Sequence, residues 1–473
     1  MIDTLTLAFI LYLIVLIVIG IYTARLSKSL DDFLIAGRKL GVLPVAISAE
    51  ASDMSGWLVL GLPGRAFMYG ISSLWVAIGC ALGTLLGWVG ISDKLRYYTE
   101  KLRSITIPDY LEDRFADKSH LIRAVSTSII ALFMVSYVSA QFVAGGKIIS
   151  ETFGWDYSSS LILGAVILTF YTMTGGFFAV AWTDVFQGLL MVAILLILPV
   201  VAIMKIGGLG KLFSTIGSMN PSFSSITFSF SGFASLIFIA GSLSWMLGYT
   251  GQPHILTRYM AIRDRKKLRE STAIGVTWAL VSLWGAVIVG LAGLAYFGSL
   301  ADPERVMPAL ALELLPRWFA GIVIAAITAA IMSTADSQLL VAASAIVEDV
   351  YHKLIRKDAD QKRLLMMSRI VVLVLAVIAF ILAIEGGVIY LLVAFAWGGL
   401  AASLGPVILL SLWWRKTTRE GALAGMISGT ITIIAWDKLG GKYLLYPPIP
   451  GMLPAFLISF FLVIFVSLLT KKD

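Results

Sequence analysis

The run Ala49-Glu50-Ala51-Ser52-Asp53-Met54-Ser55-Gly56 sits in the middle of an apolar stretch spanning residues 41–62. Two carboxyls, two hydroxyls and a glycine interrupt a segment otherwise apolar enough to cross a bilayer. A carboxylate at mid-membrane costs roughly 2.5–3.5 kcal/mol on insertion scales. Unwound backbone is tolerated at that depth only where protein buries it or it lines a cavity. A second interruption, Gly248-Tyr249-Thr250-Gly251-Gln252-Pro253, falls inside the stretch 233–257. Interrupted spans at matching places in two halves of a chain point to a transport site near the bilayer midplane.

The remaining sequence agrees with that reading. Of 473 residues, 59% are hydrophobic and 14% charged, where soluble domains carry roughly 25% charged residues. A soluble globular protein and a disordered chain are thereby excluded. One cysteine, Cys80, and three histidines leave no disulfide framework and no zinc-ligand spacing. Apolar runs are predicted to cross the membrane thirteen times, near 5–24, 41–62, 71–92, 120–148, 158–175, 178–204, 233–257, 271–297, 317–347, 364–384, 387–414, 418–437 and 450–470. The first run has no basic residue before it, unlike a cleavable signal peptide.

Alternate loops hold most of the basic residues. Arg25, Lys28, Arg38 and Lys39, with the segments 94–123, 258–269, 353–369, 415–419 and 471–472, hold 28 of the 36 Lys and Arg. The positive-inside rule then places the N-terminus outside and the C-terminus in the cytoplasm. The net charge of +8 reflects these loops rather than a nucleic-acid surface. Setting aside the first span and the last two leaves five and five, beginning on opposite sides. The expected fold is an all-α polytopic membrane protein with one transmembrane domain over 1–473. It comprises an extra N-terminal helix (5–24), a repeat (41–204), an inverted repeat (233–414) and two C-terminal helices (418–470).

Several polar residues stand out within the spans. Asp53 and Glu50 lie about one turn apart. Ser333, Asp336 and Ser337 follow i, i+3, i+4 spacing and share a helix face. Hard oxygen donors of this kind suit a monovalent cation, although hydroxyls also serve as interhelical glue. Asp184 and Asp336 are expected to approach each other and, with Ser337, to flank a second ion site. Trp245 and Tyr249 are i, i+4 neighbours beside the second break, and Tyr137 lies in mid-span. His254 reads as a satisfied packing residue and Lys147 as a snorkelling helix end. No HExxH pattern and no Ser-His or Cys-His pairing appears, so an enzyme is not expected.

Ala51-Ser52-Asp53-Met54-Ser55-Gly56-Trp57 with Gly61-Leu62-Pro63-Gly64 opens a wider set of stretches. The others are Ile107-Pro108-Asp109-Tyr110, Gly175-Gly176-Phe177, Trp182-Thr183-Asp184, Gly251-Gln252-Pro253-His254-Ile255-Leu256, Met332-Ser333-Thr334 and Gly421-Ala422-Leu423-Ala424-Gly425-Met426. In this order, and across nearly the whole chain, they resemble the sodium/solute symporter family and, within it, the sodium/proline symporters. The resemblance implies a LeuT-type fold of two inverted five-helix repeats. It also implies a functional monomer in the cell membrane that imports L-proline with Na⁺, the coupling ion, and needs no cofactor. It assigns a sodium site to the carbonyls of Ala51, Met54 and Ala330 and the hydroxyls of Ser333 and Thr334. Asp53, Ser55, Gly56, Tyr137, Trp245, Tyr249 and Pro253 would bind or border the solute. Glu50 and Asp336 depart from the family pattern, where smaller or neutral residues are expected, and they leave the ion stoichiometry and the choice of Na⁺ or H⁺ open. Another small carboxylate or a sugar is the alternative cargo. A transporter-like sensor is the distant alternative, disfavoured because no cytoplasmic domain follows Asp473.

Overall fold

A computed structural model describes residues 3–24, 30–440 and 449–471. Arg25, Lys28 and Lys472, used above for orientation, lie outside the described residues. Those residues form helices and no strand, with one isolated bridge between Leu40 and Ile262. Among the described residues, eight helices are long and apolar enough to cross a membrane. The number is nine when Gly232–Gly248 and Pro253–Ala261, bent by 42°, are taken as one span, while Thr4–Gly20 and Tyr157–Phe170 are shorter apolar helices.

Local chemistry explains where the helices stop. Val42–Asp53 ends where Met54 leaves helical geometry (φ −81°, ψ 75°), and a π-helical turn resumes at Trp57. Tyr157–Ile206 is two helices meeting at Gly176, whose φ of 67° favours a residue without Cβ. This matches the expected boundary between spans 158–175 and 178–204. In the second half, Gly232–Leu243 and the short Trp245–Gly248 helix precede the break, and Pro253–Ala261 follows it. Pro253 starts that last helix, where its missing N–H leaves no bond unmade.

Large apolar side chains cover the outside of the bundle. Val18 is 60% exposed, Phe170 71% and Met204 74%. Such a surface suits lipid and would aggregate in water. Inside, the broken helix Val42–Asp53 packs on Tyr157–Ile206, Leu268–Phe297, Pro253–Ala261 and Arg317–Ser344. The Leu40–Ile262 bridge joins the start of the first broken helix to the end of the second: Leu40 N–H donates to Ala261 O (3.3 Å) and Arg263 N–H to Leu40 O (2.9 Å).

Charged ties clamp both ends of the bundle. At one end, buried Arg123 pairs with Asp109 and Glu112, both at 2.8 Å, and with Asp349. Asp117 accepts from the Ile122 backbone (2.8 Å), the Ser119 hydroxyl (2.6 Å) and Arg419 (2.7 Å). Burial alone would raise its carboxyl, but these donors outweigh burial and hold it well below the usual carboxylate range. At the other end Lys147 reaches Asp302 (3.0 Å) and Glu304 (2.7 Å). It is therefore held in a charged pair rather than snorkelling freely. Glu304 in turn accepts from the backbone N–H groups of Ile389 and Tyr390, each at 2.9 Å.

Candidate functional site

The break at residues 53–57 is stitched by side chains from outside its own helix. The Gly56 N–H donates to Gln141 Oε1 (3.0 Å), and Gln141 Nε2 donates to Ser55 Oγ (3.3 Å). Ser55 Oγ also lies 3.4 Å from the Tyr137 hydroxyl. Tyr137 and Gln141 are i, i+4 on the Leu121–Phe153 helix, so one face of it serves the unwound backbone. A Cβ at Gly56 would lie 2.9 Å from the Ala144 methyl, so this close approach requires glycine.

On the opposite flank the broken helix meets Arg317–Ser344. Ser333 Oγ donates to Ala51 O at 2.8 Å, and Thr334 Oγ1 lies 3.5 Å from the same carbonyl. Ala330 O is 3.3 Å from Ser333 Oγ. Ala51, Ala330, Ser333 and Thr334 are therefore brought together, with every side chain buried. Met54 lies at the helix end with its N–H donating to Glu50 O (2.8 Å). Hydroxyls and helix-end carbonyls at this density match what an alkali cation requires.

The aromatic residues form one cluster. The Trp245 ring centroid lies 4.8 Å from Trp57, 5.2 Å from Tyr390 and 6.2 Å from Trp397. Tyr249 meets Trp397 edge-on at 5.1 Å. Trp397 Nε1 donates to Trp245 O (3.3 Å), and Gln252 Nε2 donates to Trp397 O (3.0 Å). The Ile389–Trp413 helix is thereby fastened to both sides of the second break. Pro253 is buried at the start of its helix. His254 differs from the sequence expectation. It is fully buried beside Tyr137, yet neither ring nitrogen has a hydrogen-bond partner.

Asp184 directly, and Asp336 through Ser337, connect to a residue that the sequence reading assigned elsewhere. Arg258, counted there among the loop charges of 258–269, is fully buried. Its Nη2 pairs with Asp184 Oδ2 (3.2 Å) and donates to Ser337 Oγ (2.5 Å), and Ser337 Oγ donates to Asp336 Oδ1 (3.3 Å). Ser48 Oγ donates to Asp184 Oδ2 (2.6 Å) and accepts from Arg258 Nε (3.0 Å). A guanidinium thus carries the positive charge between the two carboxylates. Gln141, Tyr390 and Trp397 also escaped the sequence reading, and Trp57 stood there only as part of a motif. Gln141 carried a signal, an amide one turn beyond Tyr137 in an apolar span.

Two broken helices crossing at a polar core, inside a shell of lipid-facing helices, define a multi-pass membrane carrier. Over residues 33–429 the chain matches the sodium:solute symporter family, and it belongs to that family. It is 42% identical over 462 residues to the high-affinity proline transporter of Bacillus subtilis (strain 168), covering 96% of each chain. It is also 42% identical over 456 residues to the sodium/proline symporter of Escherichia coli (strain K12), covering 94% of this chain and 90% of that one. Its fold matches a Na⁺-coupled sialic acid symporter solved in a substrate-bound outward-open state, with a TM-score of 0.80, 19% identity and 98% of each chain covered.

Proposed function

We propose that this chain is a sodium-coupled secondary symporter that imports L-proline by alternating access. One observation carries the reading: the Ala51 carbonyl, at the end of a broken helix, is met by the Ser333 and Thr334 hydroxyls of a helix from the other half. A cation there ties the two halves together. The relatives named for proline transport, identical at two residues in five over nearly the whole chain, support the choice of cargo.

The sodium ligands in this reading are the carbonyls of Ala51, Met54 and Ala330 with the hydroxyls of Ser333 and Thr334. Trp245, Tyr249, Tyr137 and Pro253 border the pyrrolidine ring, and Ser55 and Gly56 lie beside its polar end. The positive dipole end of the Pro253–Ala261 helix favours a carboxylate. These groups are all buried, so solute reaches them only when helices move. Differential affinity of Na⁺ and proline for the outward and inward states couples their fluxes. Asp184, Asp336 and Ser337 form the region of a second ion site, with Arg258 already between the carboxylates. The finer architecture follows the same reading: a monomer of thirteen spans, two inverted five-helix repeats, the N-terminus outside and the C-terminus in the cytoplasm.

Counterflow of labelled proline into proteoliposomes, with and without Na⁺, tests the proposal. Sodium-stimulated proline exchange is the expected outcome. Exchange of another solute with no effect of proline overturns it.

A further inference from the structure

Glu50 has no role in the machinery described so far. Its Oε1 accepts from the Trp88 indole N–H at 2.8 Å, while its Oε2 is buried without a partner. Gly275 makes room for this pair, since a Cβ there would lie 2.7 Å from the Trp88 nitrogen and 3.0 Å from Glu50 Oε1. The contact ties Val42–Asp53 to the helical segment that carries Trp88. Going from Glu50 to Asp53 climbs about one turn, and going from Trp88 back to Thr84 along the neighbouring helix spans about one turn as well. The Tyr249 ring lies against Gly83, next to Thr84, and Asp53 and Glu50 are among the groups acting on its hydroxyl.

Five buried oxygens in this small region make no full hydrogen bond: Glu50 Oε2, both Asp53 oxygens, Thr84 Oγ1 and the Tyr249 hydroxyl, although the Tyr249 hydroxyl lies near Asp53 and Thr84. Native interiors leave few such atoms unbonded, and here three separate elements contribute them. Thr84 and Tyr249 are each 1% exposed. Among the described residues no lysine, arginine or histidine forms an ion pair with Glu50 or Asp53. Arg258, the buried arginine of this core, is committed to Asp184. Two carboxylates one turn apart repel unless one holds a proton or a positive charge sits with them.

We propose that Glu50, Asp53, Thr84 and Tyr249 form a binding site for a monovalent metal cation. It is separate from the cluster at Ala51, Ser333 and Thr334, because Glu50 faces Trp88 and Gly275 whereas the Ala51 carbonyl faces the Arg317–Ser344 helix. Carboxylate and hydroxyl oxygens are the donors such an ion prefers. The site deepens the proposed sodium coupling and rests on it.

Equilibrium binding of radiolabelled sodium to the purified full chain in nanodiscs, without solute, counts the sites. Glu50→Gln is expected to bind one sodium fewer than the unaltered protein. The Ser333→Ala/Thr334→Ala pair is expected to weaken a different one, so that combining all three leaves only the weakened site. Thermal unfolding checks that Glu50→Gln is folded. If it is not, Thr84→Val in the Ser333→Ala/Thr334→Ala background decides, and a weaker sodium titration is expected there. Unchanged sodium stoichiometry in folded Glu50→Gln, or an unchanged titration in that Thr84→Val variant, overturns the proposal alone. An unaltered protein that binds no sodium overturns the coupling reading along with it.

Discussion

Asp53 ends the first broken helix with both carboxylate oxygens buried and unbonded. Asp53→Asn keeps its shape and removes its charge. The expected outcome is protein still present in the membrane whose labelled-proline uptake no longer responds to Na⁺; a normal sodium response would remove Asp53 from the ion path. Ser333→Ala and Thr334→Ala act on the neighbouring cluster. Each hydroxyl contributes about 1 kcal/mol, so the double variant should raise the half-saturating sodium concentration by about tenfold or more. Linkage makes proline affinity fall at low sodium and recover at saturation, which a two-dimensional uptake titration measures. Trp245→Ala removes a buried ring from the aromatic cluster. It should weaken proline binding more than sodium binding, because the loss is apolar contact rather than oxygen ligation; a competition panel checks this. Much at this scale was readable beforehand. The hydroxyl–carbonyl cluster was implied by the resemblance to the symporter family, while helical spacing alone set Ser333, Asp336 and Ser337 on one face. Arg258 was not readable, because it opens a run of basic residues and looks like the first charge of a loop. Only the fold shows that it points inward to Asp184.

The proposed transport site lies at the helix breaks, and glycine keeps them packable. A Cβ at Gly248 would collide with the Trp397 indole, whose nitrogen bonds the Trp245 carbonyl. Gly248→Ala should cost about 1–3 kcal/mol through overpacking, seen as a lower unfolding temperature and less protein in the membrane. Uptake per folded molecule should fall too, since a displaced Trp397 ring disturbs the Trp245 and Tyr249 rings it packs against. At one end of the bundle, Asp117 ties the loop before Leu121–Phe153 to Arg419. Its carboxyl is depressed in the folded protein, so its contribution is complete above the ordinary value of roughly 3.9. That contribution fades only as the pH drops below it. Acid unfolding of Asp117→Asn should therefore differ from that of the unaltered protein above that pH and converge with it in stronger acid. The positions of both breaks were legible from Gly, Pro and carboxyls inside apolar runs, as was the boundary at Gly176. The π-helical turn at Trp57–Gly61 was not, since no local residue pattern marks it.

For the molecule as a whole, the asymmetry of basic loops predicts a direction across the membrane. Ser214 lies in the Leu209–Met219 helix on the side read as external, and Lys357 lies on the side read as cytoplasmic. A membrane-impermeant thiol reagent should label Ser214→Cys in intact cells, and Lys357→Cys only after permeabilisation. The reverse pattern would invert the topology. Composition alone disclosed the class of fold, because a mainly apolar chain must place its surface in lipid. How tightly the halves interlock was invisible in one dimension, since Arg258, Gln141 and Trp397 act across more than seventy residues.

The only native thiol in the chain, Cys80, is fully buried. It lies on the same helix as Gly83, against which Tyr249 rests. The native protein is therefore already a silent background for introduced labels. When the helices part far enough for a small alkylating reagent to reach that sulfur, the core has opened. The rate at which Cys80 is modified thus acts as an internal clock for how often the bundle breathes. Slowing of that clock by Na⁺ would give a direct reading of how strongly the ion holds the two halves shut.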